Sequence, residues 1–65
     1  MPEDAVSHLR TLASDTEALQ QRLRDALGVL DGLTPDVSFR LGEASALLGS
    51  AARTLDAAAG KAATP

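Results

Sequence analysis

The chain has 65 residues, no cysteine, one histidine, and nine Asp and Glu against six Lys and Arg. That limits it to one small domain and excludes disulfides, thiolate metal sites and a zinc site of the usual ligand count. The net charge of −3 withholds the basic stripe that a polyanion needs, so nucleic acid is not an expected partner.

No apolar run is long enough to span a membrane, and Met1-Pro2-Glu3-Asp4 lacks the basic start and apolar core of a signal peptide. Neither a membrane partner nor export is expected, and the expected location is the cytoplasm. Ile, Asn and Tyr are absent while alanine fills about one position in five, the bias of a GC-rich bacterial genome. Chains this small ordinarily depend on disulfides, metals or oligomerisation. With the first two excluded, association with itself or with a larger protein is expected.

The first half carries Ala5, Leu9, Leu12, Thr16, Leu19, Leu23, Ala26, Leu30 and Leu33 at alternating steps of four and three. This is a heptad seam, broken in character only at Thr16, and it predicts a helix over residues 3–31. Val6, Ala13, Leu27 and Val29 widen the stripe, while Arg10, Glu17, Gln21 and Arg24 fall on the opposite side. Pro2 and the acidic Glu3 and Asp4 suit the start of the helix. A capping box at Ser14-Asp15-Thr16-Glu17 leaves open a restart at Ser14 and a three-helix chain.

Asp31-Gly32-Leu33-Thr34-Pro35-Asp36 is the clear break, with the turn over residues 32–34. It combines a glycine able to adopt the left-handed stop, a threonine cap and a proline for the first helical position. A second seam follows at Val37, Leu41, Ala44, Leu48, Ala51, Leu55, Ala58 and Ala62, with Leu47, Ala52 and Ala59 beside it. It predicts a helix over residues 35–59, stopped by Gly60, and a flexible tail over residues 61–65.

So short a connection forces the helices antiparallel. The expected fold is therefore all-α: an antiparallel helical hairpin over residues 1–60. One shared face leaves the rest of each wide stripe wet, so two hairpins are expected to dimerise into a four-helix bundle. Leucines of the first helix would then pack on alanines of the second. The expected seam of core and dimer is Leu9, Leu12, Leu19, Leu23, Leu30, Leu41, Leu48 and Leu55.

Several residues invite a chemical reading. Ser7-His8-Leu9-Arg10-Thr11-Leu12 resembles the phosphoacceptor box of histidine kinases, whose helical hairpin also dimerises. The likeness implies phosphotransfer on His8. The acidic residue that follows the histidine in that family is missing here, and Leu12 stands where its proline would. The alternative for His8 is a half-exposed packing residue paired with Asp4 one turn earlier.

No base lies at a fixed spacing from any serine, and Gly42 and Gly49 are seven apart on a helix rather than clustered in a phosphate loop. No catalytic residue, metal ligand, cofactor or small-molecule ligand is expected, and the chain is not expected to be an enzyme. The heptad register puts Gly42, Gly49 and Phe39 on the outer face, a possible partner surface, although Phe39 has the alternative of folding back onto Leu30 and Leu33. Asp36 with Arg40 and Arg53 with Asp56 are expected as surface pairs.

In layout the chain resembles the small plasmid-encoded RNA-binding hairpin that dimerises into a four-helix bundle, without the basic face that RNA binding requires. From Ala5 to Ala59 it also resembles the dimeric docking elements of modular polyketide synthases. The expectation is a non-enzymatic protein–protein interaction module: a homodimerising scaffold, docking or assembly element. The alternative is a small accessory subunit that folds on a larger enzyme or complex.

Overall fold

A computed structural model describes residues 3–64 and contains two α-helices, α1 (Glu3–Val29) and α2 (Pro35–Ala63), packed against each other as a hairpin. Met1, Pro2 and Pro65, and with them the Pro2 start signal and the end of the expected tail, lie outside the described residues. The hairpin is a rod of 50 × 16 × 10 Å.

Capping chemistry makes the turn. The last amide of α1 to bond backward is that of Leu30, which donates to the Ala26 carbonyl at 2.9 Å. Gly32 then takes the left-handed region with φ +75, where a side chain would crowd the following carbonyl. Thr34 is extended (φ −70, ψ 156) and its hydroxyl accepts from the Val37 amide at 3.3 Å, with Pro35 opening α2.

The helix bounds differ from the sequence expectation at both ends of this scheme. Helix α1 ends at Val29 and not at residue 31, because Gly32 and the extended residue required before Pro35 take up the chain in between. Helix α2 runs past Gly60 to Ala63. A glycine stops a helix only where it turns left-handed, and Gly32 alone does so among the described glycines. Gly60 stays helical, Lys61 suits the negative end of the dipole, and Thr64 closes the helix by donating its amide to the Lys61 carbonyl. The possible restart at Ser14 is not used. Helix α1 is continuous there, and the Thr16 hydroxyl is absorbed by the Leu12 carbonyl at 2.7 Å.

The helices meet about half a residue step away from the expected seam. On α1 the side facing α2 runs through Leu9, Ala13, Thr16, Gln20, Leu23 and Leu27; on α2 it runs through Leu41, Ser45, Leu48, Ala52, Leu55 and Ala59. Leu9, Leu23, Leu41, Leu48 and Leu55 keep their places as half-buried residues. The alternate positions Leu12, Leu19, Ala44, Ala51 and Ala58 give way to their successors. Each helix is thus turned by about 50°, half the angle between successive residues, from the heptad reading.

The buried centre consists of small side chains: Ala13, Ser45, Gly49, Ala52 and Ala59. Among the described residues no large side chain is fully buried. Small residues let the two backbones approach closely, and the leucines splay along the edges of the contact.

Candidate interaction surface

The rotation leaves one column of each helix uncovered. On α1 this column contains Leu12 and Leu19, with Leu30 at the turn; on α2 it contains Val37, Ala51 and Ala58. Leu12, Leu19, Leu30 and Val37 are 40%, 49%, 49% and 42% exposed, so three members of the expected leucine seam remain nearly half exposed in the single chain. An antiparallel helix pair has an approximate two-fold axis normal to its plane. The same turn on both helices therefore brings both columns to one face of the hairpin. Half-buried Leu9, Leu23, Leu48 and Leu55 border them. The result is a continuous apolar face along the rod.

The reverse side of α1 is polar. It carries Arg10, Glu17, Gln21 and Arg24, all exposed, and the Gln21 amide there donates to the Asp25 carboxylate at 2.9 Å. Neither expected surface pair forms; Arg40 instead lies 3.7 Å from Glu43, one turn along, with both side chains exposed. Such a pair contributes on the order of a few tenths of a kcal/mol.

One polar group crosses the inter-helix contact. The Gln20 amide nitrogen donates to the Ser45 backbone carbonyl at 2.8 Å. It lies over Gly49, where an added Cβ would stand 2.5 Å from that nitrogen. Gly49 is buried, which corrects its expected place on the outer face: the rotation that uncovers Leu19 brings Gly49 against α1. Heptad reasoning missed Gln20 because it followed the leucines. The seven-residue spacing of Ala13, Gln20 and Leu27, matched by Ser45, Ala52 and Ala59, was the available signal.

The two glycines should therefore respond differently to alanine. Gly42 is exposed with open space around it, so Gly42→Ala is expected to stabilise the fold by about 1 kcal/mol through helix propensity alone. Gly49→Ala gains the same propensity but displaces the Gln20 amide, and loss of a hydrogen bond contributing about 1 kcal/mol brings the net change near zero. Thermal melts separate the two. Equal gains in melting temperature would mean that the Gln20 bond contributes nothing.

Phe39 is 69% exposed and does not fold back to close the turn end. Phe39→Ala is expected to lower stability by no more than about 0.5 kcal/mol, the range of ordinary surface changes. A loss near 3 kcal/mol in urea titration would place the ring in a core.

His8 is exposed, and among the described residues no hydrogen bond or ion pair ties it to Asp4. Among the described residues no three His, Asp or Glu side chains gather to hold a metal ion, and no helix is long and apolar enough to cross a membrane. No protein-family model matches the chain, and neither the curated proteins nor the solved structures contain a significant match.

Proposed function

We propose that the chain is a non-catalytic assembly module whose hairpin pairs with a second copy through the uncovered apolar face to form a four-helix bundle. The observation that carries this reading is the line of Leu12, Leu19 and Leu30 left uncovered beside a contact made of alanine and glycine. A fold whose fully buried residues are this small gains little from burial alone, since an alanine removes far less apolar area from water than a leucine.

Surface area supports the same conclusion. The hairpin exposes 4797 Å², against about 3,900 Å² for a compact monomer of its mass. If two copies reached the surface expected of a compact protein of twice the mass, about 3,000 Å² would be buried, within the range of obligate dimers. What such a dimer holds together in the cell is whatever each copy carries or binds, which gives it a scaffold, docking or assembly role.

Melting followed by circular dichroism over a hundredfold range of protein concentration tests this reading. A dimer that unfolds as it dissociates must melt at higher temperature as concentration rises. A melting temperature independent of concentration in a fully helical sample would overturn the proposal. A chain without helix at every concentration would assign the apolar face to a different protein.

A further inference from the structure

We infer that the two copies dock with their turns at the same end, so that α1 of each hairpin lies beside α2 of the other. The inference rests on the dimer reading above and adds the arrangement of the copies. Two two-fold arrangements cover the apolar face. With the axis along the bundle, both turns share an end and α1 neighbours α2 of the second copy. With the axis across the bundle, the turns lie at opposite ends, α1 neighbours α1, and α2 neighbours α2. Three observations favour the first.

The first is size. The uncovered column of α1 contains Leu12 and Leu19, whereas that of α2 contains Val37, Ala51 and Ala58, with half-buried Ala44 between them. Setting α1 beside α2 matches large against small in both new contacts and gives them equal spacing. The alternative opposes leucine to leucine in one contact and alanine to alanine in the other, which forces unequal helix separations.

The second is charge. Gln20 is level with Ser45 and Gly49, and in an antiparallel pair each step back along α1 is a step forward along α2. Asp4 therefore lies at the level of Lys61, and Arg22 at that of Glu43; all four flank the uncovered columns. With the turns together, each comes beside the opposite charge on the second copy. Asp15 then faces the uncharged neighbourhood of Ala51 and Thr54. With the turns apart and the leucines centred on one another, Asp15 meets its own copy near the axis. Lys61 then falls between Asp36 and Arg40, where attraction and repulsion offset.

The third is Leu47, which is exposed beside the α2 column at the level of Leu19. With the turns together it covers Leu19 of the second copy. With the turns apart it is level with Ala51 and Ala52 of the second copy and covers less apolar surface.

The chain has no cysteine, so a single cysteine introduced by Asp31→Cys at the exposed turn accepts one spin label per chain. Pulsed dipolar spectroscopy then reads the separation within the dimer. Turns at one end are expected to give about 20 Å, two helix diameters. Turns at opposite ends would give a separation near the 50 Å length of the rod. That result overturns the inference and leaves the dimer standing. No dipolar signal at concentrations where the chain is helical would overturn both. A label at Ala63→Cys, at the far end of α2, must also give a short distance, which guards against a distortion of the turn by the first label.

Discussion

Replacing Leu19 by aspartate should leave a chain that is monomeric and largely unhelical at micromolar concentration. Within one hairpin Leu19 is about half exposed, and a charge there would cost the isolated chain little. In the proposed bundle the same position would lie in the middle of the face shared by the two copies. Each dimer would then have to desolvate two carboxylates, at several kcal/mol each. The α-helices derive most of their stability from packing and not from propensity, so loss of association carries loss of helicity with it. Ser14→Asp, on the exposed polar side, should change stability by no more than about 0.5 kcal/mol. Sedimentation equilibrium and far-ultraviolet circular dichroism of both variants make the comparison. A Leu19→Asp chain that remains a helical dimer would show that this face is not the interface; one that remains a helical monomer would show that the hairpin needs no second copy.

The second large effect is expected at Ala52, which is 1% exposed at the contact between α1 and α2. Ala52→Leu inserts three heavy atoms where the backbones approach closely, and overpacking of this kind costs about 1–3 kcal/mol. It must also draw the Gln20 amide away from the Ser45 carbonyl, because both depend on the same separation of the helices. Ala57→Leu, at an exposed position on the same helix, adds the same atoms without crowding and should be close to neutral, leucine being nearly as good a helix former as alanine. Urea midpoints of the two variants decide the matter. If Ala52→Leu is as harmless as Ala57→Leu, the helices do not meet through their alanines.

The turn and the existence of both helices were legible because each rests on local chemistry: a glycine able to turn left-handed, a threonine hydroxyl that caps, and a proline that needs no amide partner. The rotation of the helices was not. A heptad count locates a stripe three columns wide, but which two columns face the neighbouring helix depends on residue size as well as hydropathy. Ala13, Ala52 and Ala59 score below leucine as apolar residues, yet they permit the closer approach, and they occupy the buried centre.

The placement of Gly49 follows from the same point, since a register drawn through Leu12 and Leu19 turns that glycine outward. Gln20 was hidden for a related reason. An amide in an apolar contact looks like an interruption until its acceptor, a backbone carbonyl on the other helix, is known. Gly60 shows the limit of residue type as a stop signal, because a glycine that keeps helical φ lets the helix pass. The exposure of Phe39 was one of two readings open from sequence, and the ring stands in solvent.

The mass of the folded species in solution tests the proposed dimer most directly. Multi-angle light scattering on the unmodified chain near 10 µM, read beside its helical circular dichroism, should give a helical particle of twice the 6.7 kDa chain mass. A fully helical particle of the single chain mass would contradict it, because the hairpin would then be stable with its leucine face in water.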